Sequence, residues 1–490
     1  MAGPTRCRRA ERLPVGLAIA AGVALRGYSL LRSRSVRLGH PDAVTYVIAA
    51  RGSLFWNPYR PAGYPLILRA LHRTAPRLEA VLVAQHAMGV ATALLLQVTA
   101  RRHLRRRALA IAPAATVLLS GTQLELERSV MSETAYTLTL ALALACAERS
   151  GAARRCRVWR AAAGAAIGAS GTLRSPGILA TIPVAAWSAS RPGLRPPERV
   201  GAATAVLGGA AAVLGPYLAA VHRATGSWSL TRTTRFTLYA RVAPLADCAR
   251  FEPPAGTEAL CETTPVSTRP NATAYMFDWQ NSPALRLYGV PPYPLESAPH
   301  AAYGWEGERP LGRFAAAVLR HQPLDYLRSV AEAAANFARP GAGAPSSLGW
   351  THRRLIAELR NARFEEAADD EVRAYYGGVA RWETARPDRL DGFAGRARVE
   401  GIPTAALAAL ALAGWAAAGR GPRRRAIALV GGTTLFMALA TSGLLFYDVR
   451  YATPLYGPLA AAAAVGADAL LDRRPETKRR SGTAAGRRAR

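Results

Sequence analysis

Two acidic residues could do chemistry because each lies in a polar segment at the start of a helical pattern. Asp42 occurs in HPDAVTYVIAARG at 40–52, and Glu133 occurs in QLELERSVMSETAYTL at 123–138. A carboxylate at a helix start can cap exposed backbone N–H groups and complement the helix dipole. It can also act as a general base that removes a proton from a hydroxyl group. Both interpretations stay open for each residue, and we predict catalytic roles for Asp42 and Glu133.

Arginines and aromatic residues accompany the two acids. Arg60 begins RPAGYPLIL, a rigid proline-containing turn followed by an apolar segment. Its planar guanidinium suits bidentate recognition of phosphate oxygens, and the alternative is a surface turn with an arginine lying along apolar surface. Other short loops supply further charges, each of which alone could be an interfacial anchor. The predicted substrate-binding residues are His40, Tyr46, Arg60, Tyr64, Arg128, Arg174, Asp448, Arg450 and Tyr451.

Long apolar runs separate these polar segments, and 50% of the sequence is hydrophobic. This layout is typical of an α-helical protein that crosses the bilayer many times. Several runs are shorter than the ~20 residues needed to cross the hydrocarbon layer, so they must extend into their flanks or pair as tilted hairpins. The ten predicted membrane helices span 13–31, 79–100, 108–120, 133–148, 158–171, 177–190, 199–221, 399–418, 426–446 and 453–471.

Arginine clusters indicate how these helices are oriented. All of the clusters fall on one side of the predicted topology, and an excess of positive charge marks cytoplasmic loops. We therefore expect a multi-pass protein of the plasma membrane, with both termini in the cytoplasm and its active face outside. The clusters occupy 6–12, 101–107, 154–160, 191–199, 420–425 and the tail from 473.

The net charge of +31 is distributed along the whole chain. Nucleic-acid binders concentrate their cations and interleave them with aromatic residues that stack on bases. The sequence has no basic helix of that kind, so nucleic acid is excluded as a partner. Lys478 is the single lysine among 63 basic residues, and this preference for arginine, with abundant alanine, indicates a GC-rich bacterial genome.

Polar segments divide the chain into four parts. These are a transmembrane catalytic module at 1–222 with a first outer loop at 32–78, an extracytoplasmic region at 223–398, C-terminal transmembrane helices at 399–472 and a basic cytoplasmic tail at 473–490. We predict a mixed α/β fold for the extracytoplasmic region. TRTTRFTLYARVAP at 231–244 has the Thr, aromatic and Val content of strands, whereas 321–340 and 353–378 have amphipathic helical patterns.

Cysteine positions agree with this orientation. Cys248 and Cys261 both lie in the extracytoplasmic region, and their spacing allows a small disulfide-closed loop. Two unpaired thiols are the alternative. A structural zinc site is disfavoured because no nearby Cys or His completes a set of four ligands.

At these residues the chain resembles the GT-C class of membrane glycosyltransferases, which includes protein O-mannosyltransferases, lipid A aminoarabinose transferases and actinobacterial arabinosyltransferases. The likeness rests on PDAVTY and RPAGYPLIL in the first outer loop, MSETAY in the second, and RYATPLYGPL at 450–459. It implies a GT-C-like fold, a polyprenyl-phosphate-linked sugar donor and an actinobacterial source. The family's first-loop Asp corresponds to Asp42 and its second-loop acid to Glu133. Many relatives carry a second acid directly after the first, where this chain has Ala43.

We therefore predict a glycosyltransferase that moves a sugar, with inversion, to a hydroxyl of a glycan, lipid or protein acceptor. Asp42 would be the base, Arg60, Arg174 and Arg450 would stabilise the departing phosphate, and Glu133 would orient the acceptor or the sugar. No cofactor is predicted, and a divalent metal is left open. A transporter or flippase of a lipid-linked or small polar solute is the alternative, disfavoured because the helix interiors look apolar. An outer-domain scaffold explains the long loop but not the charges.

Overall fold

The computed structural model describes residues 4–33, 36, 38, 41–151, 156–289, 305–339, 370, 372–377 and 389–472, and this part of the chain contains no β-strand. Its first helices are α1 (Pro4–Tyr28), α2 (Pro41–Arg51), α3 (Gly63–Thr74), α4 (Leu78–Arg101), α5 (Ile111–Leu118), α6 (Gly121–Glu127), α7 (Glu133–Ser150), α8 (Cys156–Leu173), α9 (Thr181–Ala189) and α10 (Pro196–Thr225). They are followed by α11 (Thr234–Val242), α12 (Ala272–Phe277), α13 (Pro283–Tyr288), α14 (Glu308–His321), α15 (Pro323–Ala335), α16 (Arg389–Arg396), α17 (Ile402–Ala417), α18 (Pro422–Leu444) and α19 (Val449–Asp472). The basic tail and most of the predicted helix at 353–378 lie outside the described residues.

Five helices of the described part are long and apolar enough to cross a membrane. They are Leu13–Arg32, Leu78–Arg101, Pro196–Thr225, Pro422–Leu444 and Val449–Asp472. A sixth span results if Arg107–Leu118 and Gly121–Glu127, which meet at a 50° bend, form one broken span. The ten predicted positions are helical, but ten separate spans are not confirmed, because segments such as the 9-residue α9 fall well short of the bilayer thickness.

The strand predicted at 231–244 is wrong, because these residues form α11. Phe236, Tyr239 and Ala240 are buried, and their spacing places them on one face of a helix. This face packs on α14 in a shared hydrophobic core, where the rings of Tyr239 and Phe314 are 5.9 Å apart. Packing in the core therefore overrides the strand propensity of the Thr, Val and aromatic residues. The described part of 223–398, the region predicted to be extracytoplasmic, is helical rather than mixed α/β.

A disulfide and an amphipathic helix complete the unit formed by residues 234–335, from α11 to α15, which we call the outer unit after its predicted side of the membrane. Cys248 and Cys261 are joined by a disulfide with their Cα atoms 5.9 Å apart, and both cysteines pack against the core shared by α11 and α14. The amphipathic pattern at 321–340 forms α15, which follows α14 after Gln322. The Gln322 side chain donates a hydrogen bond to the Leu245 carbonyl and accepts one from the Asp247 backbone N–H. These contacts fix the turn between α14 and α15 against the core shared by α11 and α14.

At one end of the helix bundle, two of the arginine clusters form ion pairs with acids of α7 and α19. Asp468, fully buried in α19, accepts hydrogen bonds from the guanidinium groups of Arg106 and Arg423 at 3.1 and 2.7 Å. Glu148, at the end of α7, contacts Arg102 in the same loop as Arg106. The opposite ends of α7 and α19 are about 27 and 36 Å away by helix length, and the predicted site residues lie there.

Candidate active site

Three helix beginnings bring the predicted acids together. Asp42 is the second residue of α2, Glu133 is the first residue of α7, and Asp448 immediately precedes α19. The N-terminal end of a helix carries a partial positive charge, which stabilises a carboxylate in the first turn. Arg450 lies in the first turn of α19 and contacts all three acids. Local sequence thus puts each acid at a helix start, and packing of the helices places them around one guanidinium.

Asp42 and Asp448 share Arg450. The Arg450 Nη1 atom is 3.3 Å from Asp42 Oδ2, and the Arg450 Nε atom is 3.3 Å from Asp448 Oδ2. The backbone N–H of Arg450 also donates to Asp448 Oδ1 at 2.8 Å. Arg60, from the proline-containing turn of the first outer loop, lies 2.9 Å from Asp42 Oδ2 through its Nη2 atom. Asp42 is therefore held between two guanidinium groups.

Glu133 lies deepest in this cluster, with its side chain fully buried. Arg174, which precedes a short 3-10 helix after α8, donates a hydrogen bond to Glu133 Oε1. The Arg450 Nη1 atom is 3.8 Å from the same oxygen. Tyr451 covers the arginines: the Arg174 guanidinium lies 4.6 Å and the Arg450 guanidinium 5.3 Å from its ring centre, within the range of cation–π attraction.

Among the described residues, the cluster balances three carboxylates with three guanidinium groups. Charges can be buried when they are paired and hydrogen-bonded, whereas an unpaired buried charge is costly. Burial alone would lower the pKa of Arg60, but the neighbouring Asp42 raises it above its ordinary range. In the same way, Glu133 raises the pKa of Arg174 against the effect of burial. Both arginines therefore remain cations in this setting.

Two buried polar atoms of the cluster could still bind another molecule. Among the described residues, Glu133 Oε2 and Arg60 Nε have no hydrogen-bond partner. Buried polar atoms are nearly always satisfied in folded proteins, so these two are positions where a ligand or water would bind. One is an anionic acceptor that suits a hydroxyl group, and the other is a cationic donor that suits a phosphate oxygen.

The predicted tyrosines support the cluster from behind. The Tyr46 hydroxyl lies 3.1 Å from the Ser132 hydroxyl, next to Glu133. Burial, together with the Asp42 carboxylate, raises the pKa of Tyr46 to about 12, so its hydroxyl stays neutral at physiological pH. Tyr64 packs edge-on against Tyr46 with ring centres 5.0 Å apart. These tyrosines hold α2 and α3 against the segment that leads into α7.

Two predicted residues are not placed in the ion-pair cluster. His40 lies outside the described residues. Arg128 is the C-cap residue of α6, and its side chain is almost fully buried. Among the described residues, no group of three or more His, Cys, Asp and Glu side chains could hold a metal ion. Each carboxylate of the cluster contacts guanidinium groups instead.

Comparison with known proteins gives no family assignment. No protein-family model and no curated protein matches the chain. The oligosaccharyltransferase of Archaeoglobus fulgidus in its apo form is similar to it at 14% identity and a TM-score of 0.45, over 94% of this chain and 50% of that chain. The oligosaccharyltransferase AglB of the same organism, in complex with an inhibitory peptide and a dolichol-phosphate, has 12% identity and a TM-score of 0.44, over 95% and 51%. The chain spans about half the length of these proteins, and a likeness of this degree carries no argument about fold or activity.

Sequence reasoning missed a buried polar cluster behind the site. Glu127 accepts hydrogen bonds from Arg26 at 2.7 Å and from Gln123 at 3.0 Å, and its other oxygen lies 2.8 Å from His86 Nδ1. The expectation of apolar helix interiors is therefore wrong for α1 and α4. Gln85 and His86 form a polar pair inside an apolar run, and intramembrane polar residues are functional candidates by default. That pair was the signal that could have revealed the cluster.

Proposed function

We propose that this protein is a membrane glycosyltransferase that moves a sugar from a polyprenyl-phosphate donor to a hydroxyl acceptor, with inversion at the anomeric carbon. The observation that carries the proposal is the buried cluster of three carboxylates and three guanidinium groups at one end of the helix bundle. Transfer from a phosphate needs a base for the acceptor proton and cations for the leaving group. The cluster holds both kinds of group where the headgroup of a membrane-bound donor would lie.

In the proposed reaction, Asp42 is the general base. The acceptor oxygen attacks the anomeric carbon from the face opposite the phosphate, as water does in inverting glycosidases. The new carbon–oxygen bond forms while the bond between the anomeric carbon and the phosphate oxygen breaks, and the phosphate takes the electron pair. The acceptor proton passes to Asp42. Because the leaving group is already a phosphate, no strong general acid is required.

Arg60 is the arginine best placed to meet the donor phosphate. Its side chain is 26% exposed, compared with 10% for Arg174 and 4% for Arg450. Its Nε atom is also unpaired among the described residues. We infer that Arg60 turns from Asp42 toward the phosphate when the donor binds. This exchange would remove one of the cations that hold Asp42 before Asp42 takes the acceptor proton, while Arg174 and Arg450 stabilise the charge of the departing phosphate from within.

Glu133 has a different role in the proposal. Arg174 and Arg450 both face its Oε1 atom, while Oε2 is buried and unpaired among the described residues. An oxygen in that position would accept a hydrogen bond from a hydroxyl of the sugar or of the acceptor. A site built to hydrogen-bond a hydroxyl discriminates strongly against a substrate that lacks it. Glu133 would thus contribute to substrate selection and orientation.

Asp42→Asn tests the proposed base. Asn keeps the shape of Asp but cannot take a proton as a base, so we expect turnover to fall about 10²–10⁴-fold while donor binding is retained. The measurement is transfer of labelled sugar in membranes supplied with a panel of polyprenyl-phosphate monosaccharides. Asp278→Asn, in the outer unit, is the matched control and should transfer normally. Wild-type turnover by Asp42→Asn would show that Asp42 is not the base. If the unmodified protein transferred sugar from none of the donors, the proposed glycosyltransferase activity would be contradicted.

A transporter or flippase is the second candidate, and the buried polar cluster around Glu127 favours it. Arg26 and His86 contact Glu127 at the end of the bent helix pair, and transporters place charges and broken helices within the bilayer. Reconstitution in vesicles distinguishes the two functions. A transporter would move a lipid-linked sugar between leaflets without releasing the sugar from its carrier. A transferase would consume the donor only when a hydroxyl acceptor is present.

A further inference from the structure

An exposed apolar stripe runs along α15, the helix that follows the outer core. Leu324 is 75% exposed and Leu327 is 59% exposed, and the stripe continues through the exposed residues Ala331 and Ala335. The spacing of these positions puts them on one face of the helix. No residue of α15 is buried. Large apolar side chains so exposed in a row are unusual on a surface that faces only water.

The other side of α15 is attached to the end of a candidate membrane span. The Tyr326 hydroxyl donates a hydrogen bond to the Gly443 carbonyl at 2.9 Å, within the last turn of α18. Arg241 bridges the same two helices, because it donates to the Ser442 carbonyl at 2.8 Å and to the Ser329 hydroxyl at 3.0 Å. Since α18 ends at Leu444, α15 lies beside the end of that candidate span.

The surroundings of α15 also suit a lipid surface. The last turns of α18 expose Leu439 and Leu444, so apolar surface is present on both helices at their junction. Arg328, one residue after Leu327 in α15, and Arg320, near the end of α14, are both exposed. A helix with leucines on one side and an arginine beside them is suited to lie in the plane of the membrane interface.

We propose that α15 lies flat on the membrane surface, with Leu324 and Leu327 inserted among the lipid acyl chains. The membrane face concerned is the one that carries the candidate active site, because Asp448 follows α18 after a short turn. Phe337, just after α15, packs on Tyr447 of that turn with ring centres 5.1 Å apart. Insertion of α15 in the interface therefore fixes the position of the outer unit relative to the membrane and supports the turn that positions Asp448. The inference does not depend on the proposed transfer reaction.

Single-cysteine labelling tests this proposal in the full-length protein. Leu324→Cys and Leu327→Cys are made in a background with Cys7→Ser, Cys146→Ala and Cys156→Ser, labelled with an environment-sensitive fluorophore and reconstituted in phosphatidylcholine–phosphatidylglycerol vesicles. Val266→Cys is the matched control, since Val266 is an exposed apolar residue of the outer unit that is not part of α15. We expect blue-shifted emission at both leucine positions and strong quenching by lipids spin-labelled in their acyl chains, with neither effect at the control.

Two results would overturn the proposal. Water-like emission without lipid quenching would show that the stripe faces solvent. Blue-shifted emission that lipid quenchers do not change would show that protein covers the stripe instead, either another part of the chain or a second molecule. The leucines are exposed, so replacing them should not prevent folding, and Ala331→Cys provides a third label on the same face.

Discussion

Arg60 differs from the other two arginines of the site in its access. It comes from a proline-containing turn, and its side chain is the most exposed of the three. Arg450 and Arg174 are enclosed by carboxylates and by the Tyr451 ring, which restricts their movement. At the scale of single residues, access to solvent therefore separates Arg60, which we propose meets the donor, from the two arginines that stabilise the buried acids.

Arg60→Ala should weaken donor binding more than it slows turnover. A hydrogen bond to a charged group contributes about 1.5–3 kcal/mol, which corresponds to a donor KM about 10–100-fold higher. The measurement is the donor dependence of sugar transfer, with kcat and KM determined separately. Arg73→Ala is the matched control, because Arg73 is an exposed arginine in the same outer segment. An unchanged donor KM in Arg60→Ala would exclude the phosphate role.

At the scale of elements, α4 ties the two outer loops together. The Gln85 side chain donates to the carbonyls of Glu127 and Ser129 at 2.8 and 2.7 Å, and it accepts a hydrogen bond from the Tyr64 hydroxyl at 2.7 Å. One turn further along, Gly89 leaves room for the Glu127 carboxylate, since a Cβ at that position would lie 1.9 Å from Oε1. The Gln85 amide, together with the absence of a side chain at Gly89, thus fixes the position of the segment that leads to Glu133.

Gln85→Leu should disturb the position of Glu133 without unfolding the bundle. Small displacements of catalytic groups are costly, so we expect turnover to fall about 10–100-fold. Gln97→Leu is the matched control: Gln97 is also buried in α4, three turns nearer the other end of the helix. Gln85→Leu should unfold at a somewhat lower temperature in detergent, because it leaves buried hydrogen-bond partners unsatisfied. At a temperature where both variants are folded, only Gln85→Leu should lose turnover. Equal turnover of the two variants would mean that Gln85 is purely structural.

At the scale of the whole molecule, the helix bundle separates two groups of charges. One end carries the balanced cluster of the candidate site. The other end carries ion pairs in which Asp468 and Asp472 of α19 bind Arg106 and Arg423. Arginines predicted as orientation signals therefore also fasten loops to the last helix. Their position at the end opposite the candidate site agrees with the predicted orientation of the chain in the membrane, which stays a prediction.

Asp468→Asn should reduce stability and leave donor recognition unchanged. Asp468 also accepts the backbone N–H groups of Arg105 and Arg106 at 2.7 and 3.2 Å. Asn at this buried position keeps one acceptor oxygen and no charge, so hydrogen bonds from charged groups are lost, at a cost of about 1–3 kcal/mol. We expect a lower midpoint of thermal unfolding in detergent and a donor KM equal to that of the unmodified protein. A changed donor KM would show that the two ends of the bundle are coupled.

Much of the candidate site was predictable because its residues lie at the ends of recognisable helices. The polar segments around Asp42, Glu133 and Asp448 stand out between apolar runs, and helix starts accommodate acids. The α11 helix was missed for the opposite reason, since its Thr, Val and aromatic content favours a strand in isolation. The role of Gln85 was missed because the function of an amide inside an apolar run cannot be predicted until its hydrogen-bond partners are known.

The sequence by itself determined that this is a helical chain with apolar runs, where those runs lie, and that acids and arginines occupy the polar segments between them. These properties follow from hydrophobic periodicity and charge spacing, which act over short distances along the chain. Only the tertiary structure decided which charges meet. Arg450 binds Asp42 across 408 positions of sequence, and this pairing depends on how the helices pack. An apolar stripe shows which face of a helix is buried, but the neighbour that buries it is fixed only when the whole bundle assembles.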